Sequence, residues 1–295
     1  EDLALINYTS GTTGFSKGVM LPYRAIWSNI VFLEHVIGTR LPKNSKSLSI
    51  LPMAHMYGMA CEFLFQLCTG NHVYFLTRLP SPTIILSALA EVQPCIVIAV
   101  PLIIEKIIRK KIFPLITSRI KLMMHMPGIG KKVRQHLCEL VMKEMGGNAY
   151  EVIVGGAGLN KEIESFLVDI GFPITVGYGT TETAPLITYS DWHDFVPGSC
   201  GTVVENMEMR VLSPDPENTP GEVISRGMNV MLGYYKNEQA TKAVIDSDGW
   251  FHTGDLGQIS QDGHLFLRGR IKNMLLGSNG QNVYPEEIED KLNSM

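Results

Sequence analysis

The chain has 295 residues, 45% of them hydrophobic and 18% charged, enough apolar mass for a sizeable core. A net charge of -4 and a pI near 6.1 argue against the dominant basic surface of a nucleic-acid binder, so the expected partner is a small molecule. Cys61, Cys68, Cys95, Cys138 and Cys200 are scattered and form no C-x-x-C pair. That excludes a disulfide framework or zinc ribbon and fits a reducing cytoplasm.

The first residue is Glu1, a strand-like run follows at Leu3 to Tyr8, and Met295 falls inside a helical pattern, so both ends are expected to be cuts from a longer protein. Further candidate strands are Ser47 to Leu51, His72 to Leu76, Cys95 to Val100, Glu151 to Val154 and Ile174 to Tyr178. Helical periodicity lies between them at Tyr23 to His35, Pro82 to Glu91, Pro101 to Lys111, Lys131 to Met145 and Lys161 to Ile170. This alternation predicts an α/β domain with a largely parallel sheet. The apolar stretch Leu51 to Cys68 is broken by Pro52, His55, Gly58, Glu62 and Gln66, so it reads as core or pocket wall rather than a membrane span. After Gly198 short strands and tight turns predict a β-rich layer, with Ser213 to Pro216 and Thr219 to Gly221 as turn signals. Beyond Arg270, Gly277 to Gly280 reads as a flexible loop and Pro285 as the first turn of a helix, which places a domain boundary there.

The segment YTSGTTGFSKGVM, Tyr8 to Met20, is the strongest chemical signal. Gly11, Gly14 and Gly18 permit positive φ and close backbone approach. Their amides, the hydroxyls of Thr9, Ser10, Thr12 and Thr13, and the charge of Lys17 make a cradle for a polyphosphate. The kinase-type spacing G-x-x-x-x-G-K-[ST] fails, because Lys17 stands three residues after Gly14 and precedes Gly18. Val19 to Leu21 reads as extended, not helical. A flexible linker is the alternative for this composition, but a linker has no need of one fixed lysine.

Three later segments occur in a fixed order with this loop: GYGTTE (Gly177 to Glu182), GWFHTGDLG (Gly249 to Gly257) and RGRIKNMLLGSNGQNVYPEEIE (Arg268 to Glu289). Together the four resemble the motifs of the acyl-adenylating (ANL, AMP-binding) superfamily, which includes acyl-CoA synthetases, firefly luciferase and peptide-synthetase adenylation domains. The resemblance implies an α/β, acyl-CoA synthetase-like large N-terminal domain with layered mixed sheets and a β-rich subdomain, plus the start of a small C-terminal domain. Its boundaries are expected as 1–197 for the nucleotide- and acyl-binding subdomains, 198–270 for the β-rich subdomain, and 271–295 for the hinge and truncated C-terminal domain.

The same resemblance assigns roles that the residue types can perform. Within Gly177, Tyr178, Gly179, Thr180, Thr181 and Glu182, Tyr178 stacks on adenine, Thr181 donates to the α-phosphate and Glu182 holds Mg²⁺. A helix N-terminal carboxylate is the plainer reading of Glu182. Asp255 accepts from two ribose hydroxyls, with a turn cap as the alternative. Arg270 contacts ribose, and Lys272 matches the hinge of the C-terminal domain or is simply a solvated charge. Gly155, Gly156 and Ala157 in VGGAG lie between adenine and acyl pocket. His55 in PMAHMYGM, Pro52 to Met59, sits beside the reacting carboxylate, although a lone His in an apolar run is more often a core residue. Trp250 and Tyr284 are assigned to packing, and Phe15 stands where the family usually has Pro.

Ala54 before His55 leaves no Asp to pair an α-amine, and Met53, Met56, Met59 and Phe63 are expected to line the acyl site, which favours an amine-free apolar acid. VPLIIEKIIRKKI, Val100 to Ile112, resembles an element of long-chain fatty acyl-CoA synthetases. The implied activity is a long-chain-fatty-acid-CoA ligase using ATP, Mg²⁺ and CoA, located in the cytoplasm. A ligase loading a carrier protein and a non-catalytic nucleotide-binding module are the alternatives. The family's second catalytic lysine lies in a C-terminal motif that these residues do not reach, so the fragment is expected to bind nucleotide and adenylate poorly. Lys106, Arg109, Lys110, Lys111, Arg119, Lys121, Lys131, Lys132 and Arg134 occur without an acidic residue from Lys106 to His136. They form either a solvated face or a peripheral contact with the cytoplasmic face of a membrane or with CoA phosphates.

Overall fold

The computed structural model describes residues 2–9 and 16–273, and the backbone of 275–276 and 282–283. The expected cradle residues Ser10, Gly11, Thr12, Thr13 and Gly14, the loop at 277–280 and the helix from Pro285 lie outside the described residues.

Strand β1 (Leu3–Thr9) pairs antiparallel with β2 (Lys17–Pro22), with Thr9 opposite Lys17. Helix α1 (Tyr23–Val36) follows directly from Pro22. Strand β3 (Lys46–Ser49) leads through a turn at 51–55 into a wide π-type helix, Gly58–Leu64, which continues as α2 (Phe65–Cys68). Next come β4 (His72–Phe75), α3 (Pro82–Val92), β5 (Ile96–Ala99) and α4 (Pro101–Ile107), which runs on into a π-type turn at Ile108–Ile112. Two further helices, α5 (Ser118–Met124) and α6 (Gly130–Glu144), precede β6 (Glu151–Val154), α7 (Lys161–Asp169), β7 (Ile174–Val176), β8 (Tyr178–Gly179) and β9 (Leu186–Tyr189). The remainder is β10 (Thr202–Val203), β11 (Met207–Leu212), β12 (Gly221–Gly227), β13 (Gly233–Tyr234), α8 (Glu238–Lys242), β14 (Phe251–Ile259), β15 (Leu265–Arg270) and the pair β16 (Leu275–Leu276) and β17 (Asn282–Val283).

Local chemistry sets the ends of these elements. Ser81 caps α3, accepting the Ile84 amide at 3.3 Å ahead of Pro82 at the first helical position, and Gln93 closes it in the left-handed region before Pro94. Asn160 caps α7 through the Glu162 and Ile163 amides at 3.1 and 3.3 Å, and Glu162 and Glu164 favour the positive end of its dipole.

The parallel sheet has the order β4-β3-β5-β6-β7. Every residue of β5 and β6 is buried, as expected of parallel strands covered on both faces. Alternate side chains feed two cores: Val97, Ala99, Val152 and Val154 join α3, α4, α6 and α7, whereas Ile96, Ile98 and Ile153 join α1 and the π-type helix. The expected strand at Leu3 to Tyr8 forms, but it belongs to a separate antiparallel sheet, β1-β2-β13, because a short excursion returns the chain beside itself. The run expected as one strand from Ile174 to Tyr178 divides at Gly177, with Tyr178 joining β8-β9-β10. The β-rich layer is the antiparallel sheet β11-β12-β14-β15, while β10 and β13 complete sheets that begin earlier in the chain. On that layer Trp250 lies between the guanidinium groups of Arg210 and Arg226, 4.5 and 4.6 Å from the ring centre, in keeping with its expected packing role. Among the described residues no helix is long and apolar enough to cross a membrane.

Glu151 is fully buried in β6, accepting the Tyr189 hydroxyl at 2.7 Å and the Trp192 amide at 3.0 Å. Burial pushes its carboxyl up to about 8. The native state therefore holds a proton that the unfolded chain has released, and this contribution to stability, present below the unfolded pKa, is lost as pH rises through the native value. Glu151→Gln stays neutral throughout. Its thermal midpoint, measured against that of the parent protein, should gain several degrees, roughly 2 to 6 °C, between about pH 5 and about pH 9.

Candidate active site

A cavity of about 380 Å³ opens where β5, β6 and β7 end, at Val100, Gly155, Gly156 and Gly177, on the α1 side of the sheet. This is the usual place for a ligand in an open α/β sheet, beyond the carboxyl ends of the strands. Its inner walls are apolar: Leu33 and Ile37 from α1, Met56 and Phe65 from the π-type helix region, Ile98 and Ile153 from the sheet. Its mouth carries His55 and the backbone and hydroxyls of Gly179, Thr180 and Thr181. Of the residues expected from the methionine-rich run, Met56 is a wall. Met53, Met59 and Phe63 are not among the lining residues; Met53 lies in the turn before the π-type helix, and the helical residues that face the cavity are Cys61 and Phe65.

Two buried amides hold the mouth in shape. Asn29 is almost fully enclosed and donates to the carbonyls of Ala25 at 2.7 Å and Thr183 at 3.3 Å, while its oxygen accepts the Leu186 amide at 3.0 Å. Asn229 donates to the Leu186 carbonyl at 2.8 Å. The turn bearing His55 is fixed from two sides. Asn7 donates to the Ala54 carbonyl at 2.8 Å, and the buried Glu62 carboxylate accepts the amides of Ile50 and Leu51 at 3.1 and 2.9 Å and the Ser49 hydroxyl at 3.2 Å. Burial pushes the Glu62 carboxyl up to about 7, against those hydrogen bonds. His55 itself is exposed at the cavity, not enclosed in the core.

Along the mouth runs a polar strip drawn from several sheets. Lys17 Nζ lies 4.7 Å from the centre of the Tyr234 ring, and Tyr234 Oη donates to Glu182 Oε1 at 2.8 Å. Tyr234 therefore joins the cation and the carboxylate. Next along the strip, Tyr178 Oη donates to Asp255 Oδ2 at 2.7 Å and Arg270 Nε lies 2.9 Å from Oδ1, across the β14–β15 register that sets Asp255 opposite Arg270. Burial raises the Asp255 carboxyl, opposed by Arg270 and Tyr178, and the charge of Glu182 adds to the rise, which places the two carboxylates within each other's field. An ionised carboxylate has about four acceptor positions, so Asp255 retains two for further donors.

The glycines of this region differ in what they do. Gly156 has φ +85° and only a Val100 methyl at 3.9 Å beside its missing Cβ, so its backbone is open to a ligand. A Cβ on Gly155 would stand 2.9 Å from the Tyr57 ring, and one on Gly179 1.7 Å from the Pro185 carbonyl oxygen, so packing alone demands glycine at both. Ala157 is exposed and stands outside the cavity lining, as do Thr9 and Lys272; Thr9 flanks the strip opposite Lys17, and Lys272 follows β15.

Sequence pattern assigns no site role to Tyr234, Glu62, Asn29 or Asn229. Tyr234 has a faint signal, an aromatic in a turn-rich Gly233-Tyr234-Tyr235 run, whereas the others become visible only through their long-range partners. Glu182 is a lone hard-oxygen donor, and among the described residues no cluster of three or more His, Cys, Asp or Glu could hold a metal. That donor set fits Mg²⁺, which takes one or two carboxylates and completes its shell with phosphate and water.

The chain belongs to the AMP-binding enzyme family, whose model matches residues 1–235. Long-chain-fatty-acid–CoA ligase 1 of Saccharomyces cerevisiae is 30% identical over 317 residues, covering 98% of this chain and 44% of the yeast protein. 4-Coumarate–CoA ligase 1 of Arabidopsis thaliana is 32% identical over 308 residues, covering 98% of this chain and 49% of its own length. The crystal structure of ATP-bound MatB from Rhodopseudomonas palustris superposes with a TM-score of 0.79 at 28% identity, covering 100% of this chain and 53% of that one. The chain thus spans about half the length of the relatives it matches.

Gly155→Ala tests the packing reading. The added methyl drives against a ring whose Tyr57 hydroxyl donates to the Ile153 carbonyl at 3.1 Å. Denaturant unfolding should register a loss of about 1 to 3 kcal/mol, and Gly155→Ala combined with Tyr57→Leu should recover most of it.

Proposed function

We propose that this chain is the nucleotide- and acid-binding part of an enzyme that activates a carboxylic acid with ATP and passes the acyl group to CoA. The carrying observation is an apolar cavity whose lining residues Tyr178 and Thr181 lead directly to a polar strip: Tyr178 bonds Asp255, and Glu182, next after Thr181, is joined through Tyr234 to Lys17. In this reading the carboxylate enters past His55 and attacks the α-phosphorus of ATP. The bond to pyrophosphate breaks, acyl-AMP forms, and the CoA thiol then takes the acyl group as AMP leaves.

Protein groups act chiefly by position and charge. Lys17, with Thr9 opposite it, serves the phosphates, and Tyr234 stands between its charge and Glu182. Thr180 and Thr181 offer hydroxyls at the reacting phosphate, and Asp255, held by Arg270, accepts from ribose. Gly156 lets backbone approach the nucleotide, and Tyr178, steadied by its hydrogen bond to Asp255, provides a ring for the base. Glu182 would hold Mg²⁺, which when bound neutralises phosphate charge.

The substrate class follows from the walls. Leu33, Ile37, Met56, Phe65, Ile98 and Ile153 present no charge to the acid's tail, so an uncharged, amine-free acid is favoured, and a long-chain fatty acid is the specific reading. Acid-dependent exchange of pyrophosphate into ATP by the full-length protein tests this across fatty acids of increasing length and an aromatic acid, followed by CoA against a carrier protein as acceptor. A rate that peaks on long alkyl chains with CoA is the expected result. Best exchange with the aromatic acid overturns the fatty-acid reading, and no exchange with any acid overturns catalysis.

Lys17→Met should lower the exchange rate by about a hundredfold to a thousandfold. Tyr234→Phe, which keeps the ring and loses the bond to Glu182, should cost about tenfold. Circular dichroism unchanged in both variants separates these effects from unfolding.

A further inference from the structure

The basic run folds into the end of the α4 helix, α5 and the start of α6, a segment in which exposed aliphatic side chains occur among the cations. Helix α5 and the turn into α6 are anchored inward by Met124, Leu137 and Val141, all buried. Outward, Leu115, Leu122, Met126 and Ile129 are 50%, 67%, 43% and 43% exposed. Flanking them along the chain are Lys110, Lys111, Arg119, Lys121, Lys131 and Lys132, all exposed and without an ion-pair partner among the described residues. Arg109 and Arg134 instead reach back to the body of the domain, to Glu162 at 3.5 Å and Asp169 at 2.9 Å. No acidic residue lies between Glu105 and Glu139.

We propose that this segment, residues 110–132, docks the protein on an anionic lipid surface. Cations flanking exposed aliphatic side chains are the arrangement that gains from both halves of a membrane interface, with the charges at the headgroups and the apolar chains below them. A nucleic acid is the weaker fit. Its phosphates would satisfy the cations, but single-stranded readers add stacking rings, and the outward side chains here are Leu, Met and Ile. The charge of the whole chain supports the same orientation: it is negative overall, so with the cations concentrated here the remainder is repelled by the surface that attracts this segment. The surface is separate from the cavity, so this inference stands whether or not the proposed ligase chemistry does.

The test is flotation of the full-length protein with phosphatidylcholine vesicles, with and without phosphatidylglycerol. The expected result is at least about tenfold greater partition onto the anionic vesicles, reversed by raising salt. Replacing Arg119, Lys121, Lys131 and Lys132 together by Gln should remove that excess and bring partition down to the level seen on neutral vesicles. Leu122→Ser with Met126→Ser should leave the salt-sensitive part and remove the part that persists in high salt. Thermal melts of each variant confirm the fold. Equal partition onto neutral and anionic vesicles, no partition onto either, or full binding by the four-Gln variant overturns the proposal. So does retention on an RNA or acidic-peptide column by a protein that ignores the vesicles.

Discussion

The structure depends on the parallel strands β5 and β6 being covered on both faces. With alternate side chains committed to two cores, neither strand can slip by one residue without turning Ile98 and Ile153 away from the α1 side and exchanging them with Val97 and Val152. That register fixes where the strands stop. The cavity exists because Val100, Gly155 and Gly177 leave the sheet together, and helix α1 stands off far enough to leave room above Ile98 and Ile153.

The polar strip is built differently. Lys17 comes from one sheet, Asp255 and Arg270 from another, Tyr178 from a third, and Glu182 from the turn between two strands of that third sheet. Short hydrogen bonds between parts distant in sequence, Tyr234 to Glu182 and Tyr178 to Asp255, tie them into one surface. Each tie uses a tyrosine, whose ring fills space while its hydroxyl meets a carboxylate. The site is therefore as rigid as the packing of those two rings.

Much of this was legible in the sequence, and the parts that were not share a cause. The strands at 96–99 and 151–154 are apolar runs bounded by Pro, Gly and polar residues, and the helix before the first and the helix after the second carry their own caps at Ser81 and Asn160, so local signals sufficed. Of the glycine- and threonine-rich motifs, the one from Gly177 to Thr181 falls on the cavity lining. Local pattern did not reveal that Leu3 to Thr9 leaves the parallel sheet, since an antiparallel return and a parallel crossover begin with the same kind of strand. Nor did it reveal the cavity wall. Met53, Met59 and Phe63 suit an apolar site as well as Cys61 and Phe65 do, and only the path of the turn and helix decides which faces inward. Asn29, Asn229, Glu62 and Tyr234 work through partners in other elements, a relation that no window of neighbouring residues contains.

The cross-strand pair of Asp255 and Arg270 has a mechanical side. Arg270 is the last residue of β15, and the chain leaves the sheet immediately after it through the turn at 271–273. A pull on the chain beyond that turn is felt first at the guanidinium, and through it at a carboxylate already raised by burial. Linkage makes the connection reciprocal. A donor that competes with Arg270 for Asp255 would remove one hold on the last residue of β15, so the same ion pair that fills one of the carboxylate's positions also pins the end of that strand to the polar strip.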